Sequence, residues 1–285
     1  MLANIWFLCS PSFTYAATQN ERWFFYASLM EEIIMKQLLS RVPEVTLIFW
    51  VIKILSTTVG ETGADVLSSN LGLGLTITSA VMGGILVVLL FIQFRLKRYV
   101  PMSYWSVVVL MSIVGTLITD LLVDDCGVSL ITLSVVFTVA MIAAFAVWYI
   151  SEKTLSIHSI NTAKREMFYW LIILLAFALG TGVGDLISEG LELGYGVALS
   201  LFSGAIAIVA FGCYIMKMNR VISFWFAFIL TRPIGASLGD FMIQPVPEGG
   251  LGWGMTTVNM IFLLVIMGAI AYLSIRQKPA ISFVE

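Results

Sequence analysis

Apolar residues in this chain gather into eight long runs separated by short polar breaks. They fall near 44–66, 71–94, 102–123, 128–150, 167–188, 195–216, 221–243 and 252–275. A helix of roughly 20 residues crosses the ~30 Å hydrocarbon core of a bilayer. Barrel strands would be about 10 residues long and alternate in polarity. These runs do not alternate and are rich in Leu, Ile, Val, Phe and Ala. The pattern predicts an all-α polytopic membrane protein with eight transmembrane helices.

A second pattern lies on the first. An aromatic pair ending in Trp is followed 10 residues later by Gly, then by a small residue, then by Asp, 5 residues after the Gly. The copies are Phe49-Trp50 to Gly60, Ala64 and Asp65; Tyr104-Trp105 to Gly115, Thr119 and Asp120; Tyr169-Trp170 to Gly180, Gly184 and Asp185; and Phe224-Trp225 to Gly235, Gly239 and Asp240. The period is 55, 65 and 55 residues. Each copy sits on the first of two runs, so the unit is a two-helix hairpin. The chain divides into an N-terminal extension at 1–34, repeats at 42–100, 101–156, 157–216 and 217–275, and a tail at 276–285.

Composition agrees with a lipid environment. The chain is 60% hydrophobic and 11% charged, with a mean hydropathy of +1.00, against about 25% charged in an ordinary soluble domain. Three cysteines, Cys9, Cys126 and Cys213, form neither a disulfide framework nor a ligand cluster. The single His158 lies in a polar loop. A net charge of −2 and the lack of a basic stripe speak against nucleic acid as a partner.

Loop charge sets the expected orientation. Lys36, Arg41, Arg95, Lys97, Arg98, Lys153, Lys164, Arg165, Lys217, Arg220, Arg276 and Lys278 are 12 of the 15 basic residues, and all lie on one side of the predicted helices. The opposite turns carry none. The positive-inside rule places both termini and the tail in the cytoplasm of a cell with an inner membrane, and the four aspartates near the outer face. Two-helix units return the chain to its starting side, so the repeats are parallel rather than inverted. Within 1–34, Ile5 to Ala17 weakly resembles a signal-peptide core but lacks a preceding positive region. We expect an upstream start ahead of Met30 or Met35, with a dispensable extension as the other reading.

Stepping back from each Asp by fours stays near one helix face. The rows are Asp65, Glu61, Thr57, Lys53; Asp120, Thr116, Ser112, Val108; Asp185, Thr181, Phe177, Ile173; and Asp240, Ala236, Arg232, Phe228. Lys53 and Arg232 fall near the bilayer midplane, where a charge costs roughly 2.5–3.5 kcal/mol on insertion scales. They need a partner or water. Glu61, Asp65, Asp120, Asp185 and Asp240 are the expected partners, and five acids against two bases favour a cation as cargo. Thr57, Ser112, Thr116 and Thr181 extend the polar stripe.

Structural readings compete at several positions. The Gly-x-x-x-small steps read as close-packing surfaces. The Trp residues read as an interfacial aromatic belt. Each Asp reads as a cap for the following helix, or as a site residue. Gly72-Leu-Gly74, Gly127-Val-Ser129, Gly194-Tyr-Gly196 and Gly252-Trp-Gly254 read as tight turns opening the second helix of each repeat. Pro233 reads as a kink that is either plain packing or an exposer of carbonyls beside Arg232.

The segments Val42-Pro-Glu-Val-Thr46, Thr57-Thr-Val-Gly-Glu61, Thr154-Leu-Ser-Ile-His-Ser-Ile160 and Thr231-Arg-Pro-Ile-Gly-Ala-Ser-Leu-Gly-Asp240 resemble a bacterial family of uncharacterised membrane-anchored proteins. The resemblance covers about residues 42–275. It implies four tandem two-helix repeats and carries over no activity.

Three function classes follow. The first is a transporter or exporter of a small cation, with a divalent metal such as manganese or a proton as cargo. Glu61, Asp65, Asp120, Asp185 and Asp240 would bind it as hard oxygen ligands, with Lys53 and Arg232 as internal counter-charges. The second is a non-transporting sensor, assembly factor or scaffold, disfavoured by the short loops. The third, an enzyme, has no nucleophile, zinc or nucleotide motif behind it. No cofactor is expected. The lipid bilayer is the expected partner, and homo-oligomerisation stays open.

Overall fold

The computed structural model describes residues 40–70 and 72–281. The readings made for 1–34 lie outside them. Among the described residues, eight helices are long and apolar enough to span a membrane. They are α1 (Leu47–Asp65), α2 (Leu75–Arg95), α3 (Pro101–Asp120), α4 (Leu130–Glu152), α5 (Ala163–Asp185), α6 (Tyr195–Tyr214), α7 (Arg220–Ile243) and α8 (Met255–Ile281). There is no strand among the described residues. The chain is an integral membrane protein of four two-helix repeats.

Local chemistry sets several helix starts. The hydroxyls of Thr46, Ser129 and Thr162 accept from the amides of Phe49, Thr132 and Arg165, and Asn219 Oδ1 accepts from Val221 and Ile222. Pro101 opens α3, where a missing amide costs nothing. After the Asp, α1, α3 and α5 each run into one π-helical turn: Val66–Asn70, Leu121–Asp125 and Leu186–Gly190. The fourth repeat departs, with α7 continuing through Pro233 to Ile243 before a short 3-10 turn at Val246–Glu248. The residues capping α2, α4 and α6 are Gly74, Ser129 and Gly194. The aspartates therefore do not cap these helices. Gly74 and Gly194 have φ of 75° and 78°, a region that a side chain disfavours.

Packing makes a closed ring. The first helices of the four repeats contact one another in the order α1, α3, α5, α7 and back to α1. The second helices lie outside and are mostly exposed. Of each most apolar window, 50–61% is buried in the ring helices and 11–22% in the outer ones. The outer exposed residues, such as Val87, Phe91, Val139 and Ile208, are those a bilayer would solvate. The two helices of a hairpin are not the main packing partners. Instead α2 packs on α3, α4 on α5, α6 on α7, and α8 on α1. Each repeat thus covers the inner helix of the next.

The recurring Gly is the seam of this ring. A Cβ at Gly60 would overlap the Ser112 side chain, one at Gly115 would lie 2.7 Å from Phe177 Cβ, and one at Gly180 would lie 2.6 Å from Arg232 Cβ. At Gly235 it would lie 2.6 Å from Thr57 Cβ, which joins the last repeat to the first. In each case the residue filling the space is three positions before the Gly of the next repeat.

The aromatic pair follows the same rule. Ring centroids are 5.5 Å apart for Phe49 and Trp105, 5.3 Å for Tyr104 and Trp170, 6.1 Å for Tyr169 and Trp225, and 5.8 Å for Phe224 and Trp50. The first aromatic of every repeat meets the Trp of the next. Trp105, Trp170 and Trp225 are buried, which corrects the expectation of an interfacial belt. Their indole N–H groups donate to Tyr99 Oη, Glu166 Oε1 and Leu155 O. A buried indole needs such a partner, and the interior supplies it. The hydroxyls of Tyr104 and Tyr169 bond to each other within this layer. The aromatic layer fills the ring at the end that carries the basic loops.

Candidate functional site

The polar stripes of the four inner helices meet inside the ring. Arg232 is their common point. It is fully buried, and its guanidinium reaches every other inner helix. Nη1 donates to Thr57 O at 2.7 Å and Nε to Phe177 O at 3.3 Å. Nη2 donates to Glu61 Oε2 at 2.8 Å, to Thr181 Oγ1 at 2.6 Å and to Thr116 Oγ1. Gly180 makes room for the Arg232 stem. A buried charge of this kind is tolerable only when its donors are met, and these are.

Glu61 has one oxygen committed. Oε2 accepts from Arg232 and from Thr116 Oγ1, the latter at 3.2 Å. No donor among the described residues reaches Oε1. Carboxylate oxygens of Glu61, Asp185 and Asp240 lie within 4.8 Å of one another, from α1, α5 and α7. Among the described residues, no side-chain or backbone donor bonds to the carboxylates of Asp65, Asp120, Asp185 or Asp240. Each of the four also feels the negative charge of Glu61. Crowded carboxylates without donors repel one another, and burial adds a desolvation cost at Glu61 and Asp240. Such a cluster calls for positive charge, as protons or as a bound cation. Three hard oxygen donors suit an ion of the magnesium, calcium or manganese type.

The other predicted site residues fall in distinct places. Asp65 and Asp120 are half-buried and lie outside the three-carboxylate group. The Thr57 hydroxyl bonds back to Ile54 O at 2.7 Å, and its carbonyl serves Arg232. The Thr181 hydroxyl donates to Phe177 O at 3.3 Å while accepting from Arg232. The Ser112 hydroxyl is buried without a partner, against Gly60. Lys53 does not pair with a carboxylate. Its ammonium donates to Thr231 Oγ1 at 3.0 Å and sits 3.8 Å from the Phe228 ring centre and 4.7 Å from that of Phe177. Two aromatic faces and a hydroxyl replace the expected ion pair.

Three polar groups escaped the stripe reading. Asn259, on the outer helix α8, accepts from Thr62 Oγ1 at 2.9 Å. A lone Asn in an apolar span is the signal that could have found it. Glu189, whose carboxylate accepts from Tyr195 at 3.0 Å, adds negative charge near Asp65, Asp185 and Asp240. At the basic end, the fully buried Glu166 accepts from Arg41 Nη1 at 2.7 Å and Gln93 Nε2 at 3.1 Å, and Ser103 donates to Gln93 Oε1 at 2.7 Å. The phenol of Tyr99, in the loop between α2 and α3, has its pKa raised by burial.

A model of the family described as Repeat of Unknown Function (DUF347) matches residues 48–99, 103–154, 168–219 and 223–279. No curated protein and no solved structure matches the chain. With four matched units covering most of its length, the chain belongs to the DUF347 repeat family.

Proposed function

We propose that the chain is a transporter of a small cation, with a divalent metal such as manganese as the favoured cargo. Glu61, Asp185 and Asp240 bind the ion, and Asp65 and Asp120 line its approach. Arg232 balances part of their charge, and the protein does no covalent chemistry. It resides in an inner membrane with both termini cytoplasmic, because the basic loops lie on one side. The acidic end then faces outward.

The observation that carries this reading is the convergence of three carboxylates within 4.8 Å while the two aspartates have no donor. A purely structural network would satisfy its buried acids, as Glu166 is satisfied. Flux of Mn2+ into proteoliposomes tests the reading, with Glu61→Gln and Asp240→Asn beside wild type. Wild type should carry the ion and both variants should lose most of that flux. If both variants carry Mn2+ like wild type, the site assignment is wrong.

A further inference from the structure

Exposure of the polar interior falls from the aspartate end toward the basic end of the ring. Asp65, Asp120 and Asp185 are half-buried at the aspartate end. Exposure then falls to 7% at Glu61, 0% at Arg232 and 1% at Lys53. Beyond these lie the buried Tyr104 and Tyr169, bonded to each other, within the aromatic layer. Arg232, the buried Lys53 and a layer of rings thus follow one another along the interior of the ring.

We propose that Arg232 is the selectivity barrier of the ring: a fixed cation that blocks ion passage along the interior and makes the protein a carrier rather than an open pore. This rests on the reading of the carboxylate cluster as a cation site. Arg232 suits the task in two ways. Its guanidinium is bonded to α1, α3 and α5 while growing from α7, so it spans the ring. Its carbon stem also packs into the space over Gly180. A fixed positive group in a narrow passage excludes cations by charge, the device that pores use for selectivity.

Cargo that reaches Glu61 Oε1 therefore has no straight route onward. It leaves by the end it entered, or the guanidinium releases Glu61 Oε2 and the helices shift around it. In the second case Arg232 is the group that trades places with cargo at Glu61. A brace of purely mechanical value would hold the helices together without deciding what leaks through.

The test uses K+ as probe, because K+ leak reads the barrier whether or not Mn2+ is the cargo. Proteoliposomes of wild type, Arg232→Ala and Arg232→Lys are placed under a K+ gradient, each after a check for a monodisperse protein. Wild type should be tight, Arg232→Ala should leak K+ at least about tenfold faster, and Arg232→Lys should restore most of the tightness. A monodisperse Arg232→Ala protein as tight as wild type overturns the proposal, as does a lysine variant as leaky as alanine. Should Arg232→Ala not fold, planar-bilayer recording of wild type decides. Ohmic current overturns the barrier, and its absence under conditions of active flux supports it. Loss of Mn2+ flux in Glu61→Gln with no change in K+ tightness separates the cargo reading from this one.

Discussion

Gly235 on α7 and Thr57 on α1 approach so closely that a side chain at 235 would stand 2.6 Å from Thr57 Cβ and 3.0 Å from the Thr58 amide nitrogen. Backbone cannot yield as a flexible side chain does. Gly235→Ala should therefore open the ring at the joint between the last and first repeats. The expected cost is about 1–3 kcal/mol or more, read as a lowered melting temperature in detergent. Gly184→Ala is the contrasting case. A Cβ there meets its nearest neighbour, Ala236 Cβ, at 3.8 Å, an ordinary contact. That variant should match or exceed wild type, since Ala favours a helix over Gly by about 1 kcal/mol. Equal effects from the two substitutions would contradict the seam.

The carboxylates should differ in weight. Asp240 belongs to the three-carboxylate group and Asp120 does not. Asp240→Asn should weaken Mn2+ binding to the purified protein by at least about tenfold, because affinity follows the number of charged ligands. Asp120→Asn should weaken it less. Isothermal titration or a competition dye gives both constants. Equal losses would mean that all four aspartates act as one diffuse charge.

Orientation can be read from a cysteine that is already present. Cys126 is exposed in the turn after Asp120. In cells, with Cys9 and Cys213 replaced by Ser, a membrane-impermeant maleimide should label Cys126 from outside without lysis. Labelling only after lysis would invert the topology and put the acidic end in the cytoplasm.

The Glu166 network should carry stability rather than transport. Arg41 Nη1 and Glu166 Oε2 are 2.7 Å apart, with Glu166 fully buried and Arg41 nearly so. Glu166→Ala strands a largely buried cation and should cost about 3 kcal/mol. Replacing both partners, as Arg41→Met with Glu166→Leu, should recover part of that loss. Thermal unfolding of wild type and the two variants checks the order.

The spans and the repeat were legible because apolar run length and spacing are local properties. What they could not reveal was which repeat fills which gap. The step from Gly60 to Ser112, or from Phe49 to Trp105, joins helices whose neighbour order is set by the ring. A Trp near a predicted membrane boundary reads equally as belt or as interior, and only the packing of Trp170 on Tyr104 decides. The Lys53 pairing misled for a plain reason. Eight residues separate it from Glu61 along one helix, about 12 Å, which is too far for an ion pair. Glu166 stands in the first turn of α5, where a sequence reader expects a solvated acid.

Closure of the ring through Gly235 and Thr57 also has a consequence in time. Two of the three helices packed on α1, namely α7 and α8, are the last to be synthesised. Glu61 and the guanidinium that holds it are 171 residues apart. At ~5–20 residues per second, α1 waits roughly 10–30 s in the membrane before Glu61 meets its guanidinium. The span that waits longest is also the least apolar of the eight. Until the fourth repeat emerges, water, a lipid headgroup or an insertase must shelter it, and the nascent protein is most vulnerable to quality control during that interval.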